Sequence, residues 1–203
     1  MNHERGPISG QHLHLCDFDG TLTQGDSFVR FLLFAVPLPR LIAGGFVLAL
    51  KFSGLIFSGK WSNEAGKAAV LSVFFRGKSV AEMKTLGEEF CQKKIPALLC
   101  TELLNDLRRA FQNGETVVIV SASPDVWLRP FCAAEGFDLL CTELEFESGQ
   151  FTGNFSTPNC NGAEKARRIR KKFDLDAFEK ITAYGNSKGD EAMFSLADEV
   201  FRF

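Results

Sequence analysis

Two aspartates separated by a single residue lie near the amino end of the chain, in the run Asp17-Phe-Asp-Gly-Thr21. Cleavage of a phosphate monoester requires a nucleophile, an acid for the leaving oxygen, and positive charge around the transferring phosphoryl group. Asp17 and Asp19 supply the first two, because residues two apart in an extended chain project to the same side. Taken alone, the run fits a hydrated turn equally well, with Thr21 capping the next segment.

Ser121 and Lys165 add groups that bind phosphate. The Ser121 hydroxyl can donate to a phosphoryl oxygen, and the amides after it, at the start of a helix, suit an anion. In isolation, Ser121 is equally consistent with a strand-to-helix cap. Lys165, on a helix opened by Asn161-Gly162, supplies a cation between Asp17 and the phosphate, although composition alone favours one more solvated lysine on a basic helix face.

A polar loop, Gly185-Asn-Ser-Lys-Gly-Asp190, follows a short apolar run near the carboxyl end of the chain. Asn186 and Asp190 offer two oxygen donors there, and oxygen ligands suit a hard cation such as Mg²⁺. The alternative for this loop is a polar connection that ends in a helix N-cap.

The segments around these residues alternate between strand and helix patterns. Strands are predicted at His12–Phe18, Thr116–Val120, Phe137–Leu144 and Ile181–Tyr184, with a hairpin at Glu145–Phe155 and an edge strand at Glu199–Phe203. Helices are predicted from the N-cap Ser123 and first residue Pro124 to Glu135, at Ala163–Lys172 and at Gly189–Leu196. The alternation predicts an α/β fold with a doubly wound parallel sheet, whose ligands bind beyond the carboxyl ends of the strands.

The segment between the first two predicted strands has no strand pattern, and its sequence predicts four or five successive helices separated by Pro and Gly. One of them opens with Ser79 and Glu82 at capping-box spacing. We therefore predict an inserted helical-bundle cap over residues 26–105, and a catalytic α/β core formed by residues 1–25 and 106–203.

One cap segment, Leu41–Phe57, is almost wholly apolar. A membrane span needs about 20 predominantly apolar residues, and a lysine at the centre, here Lys51, is costly. We expect instead a helix packed inside the cap bundle, with Lys51 reaching solvent along its aliphatic stem. The segment is then expected to close over Asp17 and to leave the protein soluble without detergent.

The composition of the chain limits which binding partners and which cellular compartment are expected. The chain has 203 residues, 45% of them hydrophobic, and a formal net charge of -2, which gives no general attraction to nucleic acid. The six cysteines are scattered without a C-x-x-C pair, which indicates reduced thiols and a cytoplasmic protein. Residues Met1–Gln11 lack the apolar stretch of a signal peptide, so a flexible start is expected.

Four motifs in order resemble those of the haloacid dehalogenase superfamily, in its phosphoserine-phosphatase-like subfamily with a helical cap between the first and second motifs. The resemblance covers nearly the whole chain. The matching stretches are Asp17-Phe-Asp-Gly-Thr21, Val118-Ile-Val-Ser121, Cys160-Asn-Gly-x-x-Lys165 and Gly185-Asn-Ser-x-Gly-Asp190.

This resemblance implies a magnesium-dependent phosphomonoester hydrolase that works through an aspartyl-phosphate on Asp17. It makes Asp19 the general acid and then the base, and it makes Ser121 and Lys165 the phosphate-binding residues.

The same resemblance places Mg²⁺ between Asp17, the backbone carbonyl of Asp19, and the fourth motif with Asn186 and Asp190. Family members most often have an aspartate where this chain has Asn186. The site thereby loses one negative charge, so weaker magnesium binding is expected.

The sequence does not decide which small phosphorylated compound is the substrate. Asp26 matches an acidic position that contacts the substrate amino group in phosphoserine phosphatases, although it could equally cap the first cap helix. Only Lys67 and Arg76 are loose candidates for the arginine that would hold a phosphoserine carboxylate. The apolar cap segment resembles members of the subfamily that act on lipid phosphates such as phosphatidylglycerophosphate, which adds a transient membrane-surface contact through the cap as an alternative.

Three other functions compete with hydrolysis. A signalling receiver domain is disfavoured, because it needs neither the second aspartate nor a large cap. A phosphotransferase would use the same aspartyl-phosphate, and the sequence does not separate it from a hydrolase. An inactive phosphate-binding module gains some weight from Asn186, but the presence of Asp17, Asp19, Ser121 and Lys165 argues against it. The sequence leaves the oligomeric state open.

Overall fold

A computed structural model describes residues 11–203, apart from the side chain of Gln11. The expected flexible start falls mainly on residues 1–10, outside the described part. Within residues 11–203 the strands are β1 (Gln11–Cys16), β2 (Thr116–Pro124), β3 (Asp138–Thr142), β4 (Leu144–Glu147), β5 (Gln150–Phe155), β6 (Phe178–Gly185) and β7 (Glu199–Arg202). The helices are α1 (Ser27–Ala35), α2 (Leu38–Phe57), α3 (Asn63–Phe75), α4 (Val80–Lys93), α5 (Thr101–Gln112), α6 (Asp125–Glu135), α7 (Ala163–Lys172) and α8 (Glu191–Phe194).

Five strands form one sheet in the order β3-β2-β1-β6-β7, and every neighbouring pair is parallel. The chain winds outward from β1 in both directions, so β1 and β6 meet at the topological switch point. Cys16 lies opposite Ile119 of β2 and Tyr184 of β6, which brings the carboxyl ends of the three strands to one edge. The predicted fold class is confirmed.

Apolar side chains fill both faces of this sheet. Leu13 and Leu15 of β1 pack on one face with Ile169 of α7 and Met193 of α8. Cys16 belongs to the larger cluster on the other face, together with residues of α1, α3, α4, α5 and α6. Each fully buried Leu or Phe side chain contributes about 1.5–3 kcal/mol relative to exposure, so this two-sided burial holds the strand ends in place.

The helices that follow β1 attach to the core through aromatic rings. Trp127 of α6 lies 4.7 Å from Phe31 of α1 and 5.8 Å from Phe90 of α4, between ring centroids. Gly87 lets α4 approach α6 closely, because an added Cβ would lie 2.1 Å from the Val126 carbonyl oxygen. The predicted division at residues 105 and 106 stays a prediction, and α5 runs across that boundary.

Two local predictions have opposite outcomes. The capping box of α4 is confirmed, since the Ser79 hydroxyl accepts from the Glu82 amide and the Glu82 carboxylate accepts from the Ser79 amide. The prediction that Ser123 caps α6 is wrong. Strand β2 continues to Pro124, α6 begins at Asp125 without a side-chain cap, and the Ser123 hydroxyl donates to the Asp19 carboxylate.

Helix α2 does not pack inside a bundle, and that expectation is wrong. Its inner side rests on α3, where an added Cβ on Gly44 would meet the Phe74 ring at 2.3 Å. Its other side is open, because no described element covers it: Phe46 is 75% exposed and Leu50 is 77% exposed. In residues 11–203 it is the one helix long and apolar enough to cross a membrane, with a mean hydropathy of 1.7 over an 18-residue stretch of which 6% is buried.

Candidate active site

Asp17 emerges directly from the end of the central strand β1 and is buried. Its backbone N–H donates to the Tyr184 carbonyl at 2.9 Å, which fixes it against the end of β6. One carboxylate oxygen, Oδ1, accepts from Lys165 Nζ at 2.6 Å, and the other, Oδ2, accepts from Thr21 Oγ1 at 3.4 Å. The first oxygen is therefore held firmly, while the second has only a long contact.

Lys165 reaches this position from α7 and is 1% exposed. Its Nζ also donates to Oδ1 of Asp190 at 2.6 Å, so one ammonium joins two carboxylates. Burial acts to lower the pKa of Lys165, but the two carboxylates outweigh it and raise the pKa above its usual value. The reading of Lys165 as a solvated surface lysine is wrong.

Burial also controls the ionisation of Asp17. It raises the pKa of Asp17 from the usual 3.8 to about 6, against the opposing effect of the Lys165 ammonium. The carboxylate is therefore ionised at neutral pH but more basic than an exposed aspartate. A basic anion with one oxygen held firmly by Lys165 and the other held only by a long hydrogen bond from Thr21 is suited to nucleophilic attack.

Asp19 is held by two serines that the sequence did not point to. Its Oδ1 accepts from the Ser27 backbone N–H at 2.7 Å, and its Oδ2 accepts from Ser123 Oγ at 2.5 Å. Ser27 is itself anchored, since its hydroxyl accepts from Trp127 Nε1 at 2.9 Å. Burial raises the pKa of Asp19 despite these hydrogen bonds, which favours a carboxyl group that can carry a proton.

Asp190 uses both carboxylate oxygens within the protein. Its Oδ1 accepts from Lys165, and its Oδ2 accepts from the Asn186 and Ser187 amides and from Ser187 Oγ at 3.2, 3.0 and 2.8 Å. The Lys165 ammonium, acting against burial, leaves the pKa of Asp190 below its usual value. Asp190 thus anchors Lys165 and shapes the loop after β6, while its role as a magnesium ligand stays a prediction.

The Asn186 side chain lies against the loop of the first motif. Gly20 has φ +76°, and an added Cβ there would lie 2.0 Å from Asn186 Nδ2. Only a glycine leaves room for this amide, which approaches the backbone next to Asp19. Carboxylate, amide and peptide oxygens are the donors that Mg²⁺ prefers, so Asp17, Asn186 and the Asp19 carbonyl form a donor set that fits this ion.

Ser121 is buried at the end of β2, and its hydroxyl accepts from the Ser123 amide at 3.1 Å. The next residue, Ala122, presents a carbonyl that accepts from Lys67 Nζ at 3.3 Å, so a lysine of α3 reaches the carboxyl-terminal part of β2. Lys67 therefore lies beside the site, whereas Arg76 is exposed at the end of α3. The phosphate-binding role of Ser121 stays a prediction.

A cleft of about 720 Å³ opens between helices α1, α2 and α3 on one side and the carboxyl end of β2 and the loop after β6 on the other. Asp26 lines it, but its carboxylate accepts from the Phe28 and Val29 amides at 2.8 and 3.1 Å and so caps α1. Contact of Asp26 with a substrate amine stays a prediction. The other lining residues are Phe28, Phe52, Trp61, Asn63, Gly66, Lys67, Val70, Ala122, Asn159, Asn161, Ser187, Lys188 and Gly189.

A second cluster of ionisable groups lies elsewhere on the sheet. His14 Nε2 is 2.6 Å from Glu115 Oε2, and His12 Nδ1 is 3.9 Å from Glu115 Oε1. The His14 Nδ1 atom is 3.2 Å from the Tyr184 hydroxyl. These partners account for the cluster without a ligand, and neither histidine nor Glu115 contacts the Asp17 side chain through a hydrogen bond.

Comparison with known proteins gives a consistent result. A family model described as haloacid dehalogenase-like hydrolase matches residues 15–195. Protein CicA of Caulobacter vibrioides is 34% identical over 202 residues, which cover 95% of this chain and 88% of that protein. Phosphoserine phosphatase SerB1 of Mycobacterium tuberculosis is 28% identical over 194 residues, covering 89% of this chain and 60% of that protein. A substrate-bound phosphoserine phosphatase structure superposes with a TM-score of 0.66 at 16% identity, covering 97% of this chain and 87% of the other.

Proposed function

Since the chain belongs to the haloacid dehalogenase-like hydrolase family, we propose that it hydrolyses phosphate monoesters through a covalent phosphate on Asp17. The resemblance drawn from the four motifs, and with it the expectation of an enzyme, is confirmed. The observation that best supports this mechanism is the environment of the Asp17 carboxylate. The carboxylate is buried, Lys165 holds its Oδ1 atom, and its pKa is raised to about 6.

In the first step, Asp17 Oδ2 attacks phosphorus and the bond from phosphorus to the leaving alcohol oxygen breaks. Asp19, whose pKa is raised, gives its proton to that oxygen, so a neutral alcohol departs. In the second step, Asp19 takes a proton from a water molecule that attacks the phosphorus of the aspartyl-phosphate. Inorganic phosphate leaves, and Asp17 returns to its carboxylate form.

The residues around the phosphate have separate tasks. The Lys165 ammonium offsets charge between Asp17 and the phosphoryl oxygens, and the Ser121 hydroxyl donates to one of those oxygens. Asp17, the Asp19 carbonyl and Asn186 would hold Mg²⁺, and Asp190 holds the loop that carries Asn186. When bound, this ion neutralises charge that develops on the phosphoryl oxygens.

Two substrate classes are candidates for the cleft. A small amino-bearing ester such as phosphoserine would use Asp26, which lines the cleft beside Lys67. A lipid phosphate is the second candidate, and the specific observation in its favour is the pair Phe52 and Trp61. Their rings pack edge to face at 5.2 Å and line the same cleft at the end of the exposed helix α2.

The test is turnover of purified protein on a panel of esters that includes phosphoserine and phosphatidylglycerophosphate, with Asp17→Asn as the matched variant. Asn has nearly the same volume as Asp but cannot attack phosphorus. Acid quenching during turnover, followed by peptide mass spectrometry, should find a phosphate on Asp17. Near wild-type turnover by Asp17→Asn would exclude the covalent mechanism.

A further inference from the structure

The outer side of α2 carries an uncovered row of large apolar residues, which we call the α2 apolar face. The positions follow a spacing of four residues for three steps, so they project from one side of the helix. The residues and their exposed fractions are Leu38 (68%), Ile42 (58%), Phe46 (75%), Leu50 (77%) and Phe57 (91%). Single exposed apolar residues are ordinary, but a contiguous face of this kind marks an interaction site.

The charge around this face distinguishes between classes of partner. From Ser27 to Asn63 the sequence contains no Asp or Glu, but it contains Arg30, Arg40, Lys51 and Lys60. The whole chain has a formal net charge of -2, so this segment has the opposite sign to the rest of the molecule. Basic residues beside an apolar helix face are complementary to a bilayer that contains anionic lipids.

The contacts of α2 determine how it meets such a bilayer. Arg40 Nη2 donates to the Phe74 carbonyl at 2.9 Å, and Lys51 Nζ donates to Ser72 Oγ at 3.4 Å, so both basic side chains turn toward α3. Short connections join α2 to α1 and α3, which both pack on the core. A helix held along its whole inner side lies in the plane of the membrane surface and does not cross the bilayer.

The carboxyl end of α2 has the residues of an interfacial anchor. Trp61 is 48% exposed and follows Phe57 and Lys60. Aromatic rings of this kind settle at the level of the lipid headgroups, with lysine beside them in water. Trp61 and Phe52 also line the cleft, so this anchor lies next to the candidate active site.

We propose that the α2 apolar face docks the protein on the surface of a bilayer that contains anionic lipid. Docking itself does not depend on the proposed phosphatase activity. If that activity holds, the docked protein presents its cleft beside the headgroups, where a phosphorylated lipid would reach Asp17 while its acyl chains remain in the bilayer.

The experiment is flotation of the full chain with vesicles of phosphatidylcholine, with or without phosphatidylglycerol, and without any substrate. We expect wild-type protein to float with the anionic vesicles and to dissociate at high salt. Phe46→Ser combined with Leu50→Ser should weaken vesicle binding at least 100-fold, since each buried side chain of this size corresponds to about 10-fold or more. Lys60→Glu should weaken binding to the anionic vesicles alone.

Val80→Ser is the matched control, because Val80 is 47% exposed on α4, outside the α2 apolar face. It should float like wild type. Near-ultraviolet circular dichroism checks that every variant is folded, and turnover of a small soluble ester reports on the active site separately. Wild-type protein that ignores anionic vesicles would overturn the proposal. So would a dimer that the double variant breaks without any effect on vesicles, because the face would then be covered by a second copy of the chain.

Discussion

The buried carboxylate of Asp17 should make the protein less stable at neutral pH than at about pH 4. A pKa that rises from 3.8 in the unfolded chain to about 6 in the folded protein means that the folded state holds a proton more tightly. At about 1.36 kcal/mol for each pH unit, the difference corresponds to roughly 3 kcal/mol. Native domains are stable by about 5–15 kcal/mol, so a change of this size is easily measured.

The sign follows from proton binding. Between about pH 4 and pH 6 the folded state binds more protons at Asp17 than the unfolded state does, so stability falls as the pH rises. The contribution is fully present below pH 3.8 and is lost as the pH passes through about 6. Asp17→Asn cannot titrate, and Lys165 keeps its partner Asp190 in that variant.

The assay is urea unfolding of wild type and Asp17→Asn in metal-free buffer at several values between about pH 4 and pH 8. The free energy of unfolding of wild type minus that of the variant should decrease by roughly 3 kcal/mol across this range. Taking the difference removes titrating groups that do not interact with Asp17, such as Asp125. Curves that stay parallel from acid to neutral pH would refute the reasoning, because Asp17 would then have the same pKa folded and unfolded.

Three further outcomes are expected. Asp19→Asn should lower turnover by about 100- to 10,000-fold, the usual cost of losing a positioned acid and base, and unchanged steady-state rates would assign the proton transfer to another group. Chelator should remove activity and Mg²⁺ should restore it. Asn186→Asp should lower the Mg²⁺ concentration that gives half of the maximal activity, which a titration of initial rates would measure. A higher Mg²⁺ concentration for half activity would contradict the charge argument. Gly87→Ala should destabilise the fold by about 1–3 kcal/mol, because its Cβ would lie 2.1 Å from the Val126 carbonyl oxygen; denaturation midpoints equal to those of wild type would show that α4 can move away from α6.

The sequence was informative where the signal is local. Asp17 and the loop of Asn186 each follow a strand, Ser121 follows the apolar run of β2, and parallel strands bring their carboxyl ends to one edge. The capping box of α4 depends on two residues three positions apart. Both kinds of feature can be read from neighbouring residues without knowledge of the rest of the fold.

The supports of Asp19 could not be read in this way. Ser123 is 104 residues from Asp19, and Ser27 is joined to Trp127 across 100 residues. Serine before a helix also has a strong local explanation as an N-cap, and here the tertiary hydrogen bond to a buried carboxylate prevailed. The exposure of α2 could not be predicted either. An apolar helix has the same composition whether it is buried in protein or exposed on the surface.

Charge balance in the site gives a physical reason for the proposed metal. Asp17 and Asp190 with Lys165 leave one net negative charge in a buried place, and a bound phosphate monoester would add up to two more. Uncompensated charge of that size is costly away from water. A divalent cation held by Asp17 and Asn186 would return the site to its starting charge. Since Lys165 is already shared between two carboxylates, it cannot provide this compensation alone, and phosphate should therefore bind more tightly when Mg²⁺ is present.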